Sequence, residues 1–214
     1  LLTWQINRSW QTQFGLHNGW DAYDRVSDRM GMLAGVKYAK PCNHWWTSFA
    51  ITTGDDLNNL ADLPGIVPDL TNRTRYSWLI FLSLTERVDY IFHHWLGFQD
   101  DGAIGGGRAD WYGIDHYAYY EINDRWRAGF RYEWFRDEDG TRLGLNRTSN
   151  PNKPPFPGDI YSVAFGLNWT PEANLMVRPE IRWDWFDGDT PRRPFQDGDS
   201  DSQLMFGLDA IVHF

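Results

Sequence analysis

Apolar and polar side chains alternate with a period of two along most of this chain. The clearest run spans residues 125–136, where Trp126, Phe130 and Trp134 fall on one face and Arg127 and Arg131 on the other. A helical period of 3.6 residues would mix these two sets, whereas successive residues of a strand point to opposite faces. The alternation recurs about ten times and therefore predicts an all-β chain of about ten strands.

The other strands are predicted from the same alternation and from the turn residues between them. The predicted strands cover residues 4–14, 28–39, 44–53, 75–85, 88–99, 110–122, 125–136, 159–169, 174–186 and 203–214. Three residues break the pattern, because Arg8, His94 and His116 fall on apolar faces. Pro179 lacks a backbone donor, so we expect a bulge or an interrupted ladder at that position.

The connections between the predicted strands alternate in length along the whole chain. Short connections fall at 40–43, 85–87, 123–124 and 170–173, and long ones at 17–27, 54–74, 100–109, 137–158 and 187–202. Outer-membrane barrels have short periplasmic turns and long extracellular loops, whereas a soluble sandwich has no reason to sort connections by length. We therefore expect an antiparallel up-and-down transmembrane β-barrel, rising on its first strand and ending on the periplasmic side.

Composition agrees with a wall that has lipid on one side and water on the other. Aromatic residues make up 17% of the chain, yet the mean hydropathy is −0.57. No apolar run reaches the roughly 20 residues of a membrane-spanning helix. The net charge of −9 argues against a nucleic-acid partner. We expect one barrel domain over residues 1–214. Its first residues show no signal-peptide pattern, as expected if a signal peptide has been removed or if upstream strands are missing.

Few residues suggest chemistry. The single cysteine, Cys42, excludes an internal disulfide and a cysteine-rich metal site. His93, His94 and His116 are candidate metal ligands, but His93 and His94 are adjacent in a predicted strand and point to opposite faces, so the two do not readily bind one ion. No nucleophile elbow or Ser-His-Asp order is visible, so we expect no enzymatic activity and no cofactor. A weak calcium-loop pattern remains at Asp197, Asp199 and Asp201, but it lacks the motif's glycine at position six and acidic residue at position twelve, so a solvated acidic loop is the default interpretation.

Two C-terminal stretches resemble a known family. The chain ends on an alternating strand, Leu208-Asp209-Ala210-Ile211-Val212-His213-Phe214, after the stretches Trp169-Thr170-Pro171 and 174–184. Together with 207–210, these resemble the OmpL-like β-barrel porins of the bacterial outer membrane. The resemblance implies passive diffusion of small hydrophilic solutes or ions, with outer-membrane lipid and the barrel-assembly machinery as partners, the latter recognising Phe214. Because members of that family are longer, it also implies the C-terminal part of a larger barrel.

Charged residues concentrate on the polar faces of two predicted strands, where they would line a lumen and set ion selectivity. These residues are Arg125, Arg127, Arg131, Glu133, Arg178, Glu180, Arg182 and Asp184. Their charges nearly balance, so a salt-bridge network that braces or plugs the wall is an equal alternative.

Aromatic residues near the predicted strand ends suggest girdles at the two membrane interfaces, where amphipathic rings are favoured. The residues in question are Tyr38, Trp45, Tyr76, Trp111, Trp134, Trp169 and Trp185.

Three functions are compatible with the pattern: a porin, a non-conducting structural or partner-binding barrel, and a soluble carbohydrate-binding β-sandwich. The sandwich leaves the sorted connections unexplained. Barrels of about eight strands are filled by side chains, whereas those of about 16 enclose a channel, so barrel size decides between the first two. The sequence leaves open a homo-oligomer or a larger membrane complex.

Overall fold

The computed structural model describes residues 1–20, 30–41, 44–57, 70–103, 106–143, 157–188 and 193–213. Cys42 and Phe214 lie outside these ranges, as do parts of the long connections. No helix in this described part of the chain is both long and apolar enough to cross a membrane.

The described residues form one antiparallel sheet in which every strand pairs with the next. Its strands are β1 Leu2–Gln5, β2 Trp10–His17, β3 Gly31–Ala39, β4 Trp45–Leu57, β5 Leu70–Thr85, β6 Val88–Gln99, β7 Ala109–Asn123, β8 Trp126–Asp137, β9 Gly158–Glu172, β10 Leu175–Asp187 and β11 Ser202–Val212. A short 3-10 turn, Gln196–Gly198, precedes β11. The sheet is open, with β1 and β11 as its edges. The predicted all-β, up-and-down antiparallel architecture is confirmed.

The first predicted strand, 4–14, is two strands joined by a turn. Ile6 N donates to Trp10 O at 2.9 Å, and the Asn7 side-chain oxygen accepts from Ser9 N and Trp10 N at 2.9 and 3.0 Å. Arg8 lies in this turn, which explains why it fell on the wrong face. The sheet therefore has 11 strands, and the expectation of a first rising strand was wrong, because β1 runs toward the short turns.

The predicted sorting of connections by length is confirmed. Short connections at 6–9, 40–44, 86–87, 124–125 and 173–174 lie at one end of the sheet, and long ones at 18–30, 58–69, 100–108, 138–157 and 188–201 lie at the other. Some strands extend further toward the long connections than predicted, and β5 begins at Leu70 instead of residue 75.

The strand register separates an apolar face from a polar face. One cross-strand row on the apolar face runs Phe130↔Phe165↔Ile181↔Phe206. All four side chains are exposed, with relative accessibilities from 44% to 74%. A soluble sheet would cover such a face with a second layer, whereas lipid covers it in an outer-membrane protein. We refer to the opposite surface of the sheet as the polar face.

Pro179 interrupts the ladder as expected. The β9–β10 register shifts between Leu175 and Val177, and paired positions resume at Glu180↔Gly166 without a pair at Pro179. On the other side Pro179 still lies opposite Leu208 of β11.

Candidate functional site: the charged polar face

Arg127 anchors the short-turn end of the polar face through three neighbours. Its Nη2 lies 3.0 Å from an Asp89 carboxylate oxygen on β6, and its Nε lies 3.0 Å from Glu121 on β7. The guanidinium also stacks over the Tyr119 ring, 4.6 Å from the centroid. Because two neighbouring strands contribute partners, this arginine is held against the wall by contacts on both β6 and β7.

A second cluster centres on Glu133. Its carboxylate lies 3.6 Å from Arg131 Nη1 on its own strand and 3.7 Å from Arg182 Nη2 on β10. Arg182 Nε also donates to Asp184 at 2.6 Å. The Gln203 side chain donates to the second Asp184 oxygen at 2.8 Å. Charges of both signs thus alternate along the wall, so this cluster carries no large net charge.

Arg178 and Asp209 form a bidentate pair at the sheet edge. Arg178 Nε and Nη2 donate to the two Asp209 oxygens at 2.8 and 2.6 Å. Both side chains are exposed. Glu180 is on the same face of β10, opposite Gly207 of β11.

Seven of the eight predicted lumen residues lie on the polar face of β8 or β10, and Arg125 does not. Arg125 occupies the two-residue turn between β7 and β8, where the Asn123 side chain accepts from Arg125 N and Trp126 N at 3.0 and 3.2 Å. The acidic partners of these arginines lie on other strands and were not predicted; they are Asp89, Glu121 and Asp209. Their alternation marked them as polar, but a single sequence does not give the register that pairs them.

A trough of about 560 Å³ lies along the polar face. Glycines form part of its floor: a Cβ on Gly207 would meet nothing within 4 Å, and one on Gly129 nothing nearer than 3.4 Å. Tyr117, Arg131 and Arg178 are among the residues around it. Because the glycines leave space instead of accommodating a neighbour, a small solute has room beside two guanidinium groups.

The long-loop end of the polar face is closed by a buried polar network. Arg73 Nη1 lies 2.6 Å from the Asp56 carboxylate, and Arg73 Nε and Nη2 donate to Gln99 Oε1 at 3.1 and 2.9 Å. Gln99 in turn donates to Thr71 Oγ1 at 3.0 Å. Arg73 is 4% exposed and Gln99 is fully buried, so both side chains are shielded from solvent.

Trp111 belongs to this inner region and not to an outward aromatic girdle, so that prediction was wrong. It is 5% exposed and packs with Ala103 and Ala109. The Arg142 guanidinium covers its ring at 3.9 Å. Trp111 is close to a strand end, but it shares its face with Asp137, opposite which it lies in the register.

The other predicted girdle residues lie on the apolar face. Tyr38 contacts Trp10 and Trp45, Trp169 stacks on Trp126, Trp134 contacts Tyr112, and Trp185 stacks on Tyr161. These are within a few residues of strand ends, but Tyr76 is not, because β5 begins six residues before it. Their proposed role at the membrane interface stays a prediction.

The histidines separate between the faces as their adjacency predicts. His93 lies on the polar face, where its Nδ1 is 2.8 Å from Asp115. On the apolar face His94 stacks on Tyr76, and His116 Nδ1 lies 2.6 Å from the Tyr90 hydroxyl. Within the described ranges no three His, Cys, Asp or Glu residues form a group that could hold a metal.

The predicted calcium-loop residues fall only partly within the described residues. Asp199 and Asp201 are exposed in the connection before β11. The side chain of Asp197 and the whole of Phe214 lie outside the described residues, so the calcium and assembly-signal predictions stay predictions.

The sequence model described as "Putative beta-barrel porin-2, OmpL-like" matches residues 1–214. The chain belongs to this OmpL-like porin family. The family match covers the N-terminal half as well as the C-terminal stretches that carry the resemblance. No curated protein matches the chain.

Solved outer-membrane proteins share the fold of this OmpL-like porin. The outer membrane channel DcaP of Acinetobacter baumannii aligns with a TM-score of 0.67 at 14% identity, over 99% of this chain and 61% of that one. A Pseudomonas aeruginosa FadL homologue aligns with a TM-score of 0.50 at 12% identity, over 97% of this chain and 64% of that one. The chain thus spans less than two thirds of either neighbour. Family and fold together place it in the bacterial outer membrane, in contact with lipid.

Proposed function

We propose that small hydrophilic solutes and ions diffuse passively past the polar face of this porin. The observation that carries the proposal is the glycine-floored trough beside the ion-paired arginines, on a sheet whose opposite face exposes large apolar side chains. Water on the polar face would hydrate the exposed Arg178–Asp209 pair, while lipid would cover the row containing Phe165 and Phe206.

A pore also needs a closed wall. Backbone N–H and C=O groups at the free edges of β1 and β11 would be unsatisfied in hydrocarbon, at a cost of several kcal/mol for each group. Further strands would satisfy them. We therefore propose that these eleven strands are the C-terminal part of a larger barrel, which leaves room for an open channel.

The test is the single-channel conductance of the full-length protein in a planar bilayer with a salt gradient. Discrete steps support the pore, and the reversal potential gives its ion selectivity. Arg182→Glu should move the reversal potential toward cation selectivity, because Arg182 lies on the polar face within the charged cluster. Arg87→Glu makes the same charge change in the exposed turn 86–87 and should move it much less.

A non-conducting barrel is the second candidate function. The Arg127–Asp89 and Arg178–Asp209 ion pairs favour it, because paired charges would brace the barrel wall without lining an open path. A silent bilayer from folded protein would overturn the porin proposal and support this one.

A further inference from the structure

Three polar-face side chains from neighbouring strands form a hydrogen-bonded chain. Ser77 Oγ on β5 lies 2.8 Å from His93 Nε2 on β6. His93 Nδ1 lies 2.8 Å from an Asp115 carboxylate oxygen on β7. His93 and Asp115 retain 17% and 11% side-chain exposure, and Ser77 is half-buried, so water reaches the group.

The order of atoms fixes the direction of the hydrogen bonds. An ionised carboxylate only accepts, so His93 Nδ1 carries the proton that faces Asp115. In the neutral imidazole Nε2 is then an acceptor, and the Ser77 hydroxyl donates to it. This is the relation between a nucleophile, its general base and a group that orients the base.

Arg75 adds a positive charge next to Ser77. It lies two residues before Ser77 on β5 and therefore on the same face. Its guanidinium stacks 5.1 Å from the ring centroid of Trp95, the residue directly opposite Ser77 in the β5–β6 register.

Among the polar-face arginines of the described strands, Arg75 alone makes no ion pair with a carboxylate. The others are Arg73, Arg127, Arg131, Arg178 and Arg182. Arg75 is also exposed. Its charge is thus available to a negatively charged group that forms at Ser77.

We propose that Ser77 is an activated nucleophile and that this site hydrolyses carboxylic esters reaching the polar face. Ser77 Oγ attacks the carbonyl carbon while its proton moves to His93 Nε2, and Asp115 stabilises the resulting imidazolium. Arg75 stabilises the oxyanion of the tetrahedral intermediate. The intermediate collapses, the alcohol leaves with the proton from His93, and the acyl group stays on Ser77.

Water completes the cycle. His93 takes a proton from a water molecule, whose oxygen attacks the acyl carbon, and the acid leaves as Ser77 regains its proton. The balance is ester plus water giving acid plus alcohol. Esters fit better than amides, because one side-chain cation replaces a set of backbone donors and an alkoxide leaves more readily than an amine.

This activity is separate from conduction and requires only that the polar face is wet. It departs from the expectation of no enzymatic activity, which rested on the absence of a linear motif. Passive conduction without hydrolysis, or hydrolysis without conduction, would separate the two proposals.

The experiment uses the folded full-length protein in detergent micelles with a fluorophosphonate probe, followed by peptide mass spectrometry. We expect covalent labelling at Ser77 and turnover of p-nitrophenyl acetate. Absence of label on folded wild-type protein would overturn the proposal, and so would label placed on another residue. Because this readout needs no variant, a folding defect in a mutant leaves the test decisive.

Variants assign the roles. Ser77→Ala should abolish labelling, and His93→Gln should slow it about 100-fold or more, as for loss of a general base. Ser48→Ala is the matched control, a half-buried serine on the polar face of β4 that lies opposite Leu79, and it should label at the wild-type rate.

Arg75→Gln should lower ester turnover about 100-fold, the typical effect of losing an oxyanion donor, whereas Arg87→Gln should leave it unchanged. Asp115 is a positioning residue. Asp115→Asn should lower the maximal labelling rate without changing the probe concentration at half-saturation, whereas a purely structural role would reduce only the folded fraction.

Discussion

Arg182 and Glu133 form an ion pair across a strand to which neither belongs. Their charged atoms lie 3.7 Å apart, although β9 separates β8 from β10. The β9 residues beneath them are small, with Ala164 in register with Arg182 and Ser162 in register with Glu133. The charge pattern of the wall therefore depends on side-chain size on a strand that carries no charge there.

Removal of the Glu133 charge should make the pore more anion-selective. Glu133→Gln leaves Arg131 without its carboxylate and Arg182 with Asp184 alone. The reversal potential in a salt gradient measures the shift. Glu172→Gln, at the exposed short-turn end of β9, is the control for the same loss of charge. Equal reversal potentials for Glu133→Gln and wild type would place Glu133 away from the ion path.

Arg73→Met should destabilise the barrel strongly. The substitution leaves the Asp56 carboxylate and the buried Gln99 oxygen without their guanidinium partner, and breaking a buried pair in this way costs about 3–5 kcal/mol. Urea unfolding followed by tryptophan fluorescence measures the loss. Arg87→Met, in an exposed turn, should stay within about 0.5 kcal/mol of wild type. A similarly small effect for Arg73→Met would contradict a stabilising role of this buried network.

Two glycines on the polar face should respond differently to a methyl group. A Cβ on Gly97 would lie 2.4 Å from the Trp111 ring, whereas one on Gly207 meets nothing within 4 Å. Gly97→Ala should lower stability by about 1–3 kcal/mol through overpacking, and Gly207→Ala should be neutral or stabilising. Thermal melts of both variants make the comparison. A neutral Gly97→Ala would mean that Trp111 has room to move.

Asp137 organises the residues that follow β8. Its buried carboxylate accepts from the backbone N–H groups of Thr141, Arg142 and Leu143 at 3.1, 2.6 and 2.8 Å. Asp137→Ala should increase amide hydrogen exchange at 141–143 and lower stability by about 1–3 kcal/mol. Asp124→Ala, in the opposite turn, should leave that exchange unchanged. Protection retained in Asp137→Ala would assign the ordering to other contacts.

Stability should depend on pH through Glu138. The Tyr112 hydroxyl donates to its carboxylate at 2.6 Å and Arg136 Nε donates at 3.0 Å, which lowers the pKa of Glu138 below its usual value. A lowered folded-state pKa stabilises the fold above the unfolded-state pKa, and this contribution is lost as pH falls through the folded value. Wild type should therefore lose more stability between pH 7 and pH 3 than Glu138→Gln, as measured by urea unfolding. Identical pH profiles would contradict the assignment.

The alternation of apolar and polar residues predicted most of the fold. It located the strands, separated the faces and exposed the sorted connections. It failed at 6–9, because Asn7-Arg8-Ser9 contains neither Gly nor Pro and the alternation, broken only at Arg8, resumes in phase at Trp10. Trp111 was assigned to an aromatic girdle because it is close to a strand end. Its spacing of two and four residues from Gly113 and Asp115 already placed it on the polar face.

Cross-strand chemistry could not be predicted, because pairing register is a property of several strands together. Ser77, His93 and Asp115 are far apart in sequence and meet only when β5, β6 and β7 align. The same holds for the Arg178–Asp209 pair. The sequence predicts the face on which each residue lies, but it does not predict which residues of neighbouring strands contact each other.

Because short and long connections lie at opposite ends of the sheet, these two rims differ in the insertions that they tolerate. At the rim with the short turns, bonds such as Thr170 N to Arg125 O at 2.8 Å hold the register. One residue inserted there would turn the side chains of the following strand to the opposite face. At the other rim, closure entropy rises only slowly with length, so a connection such as 188–201 accepts an inserted peptide. An epitope tag placed there would report the cell exterior, and sequence drift between related proteins should accumulate on that side of the membrane.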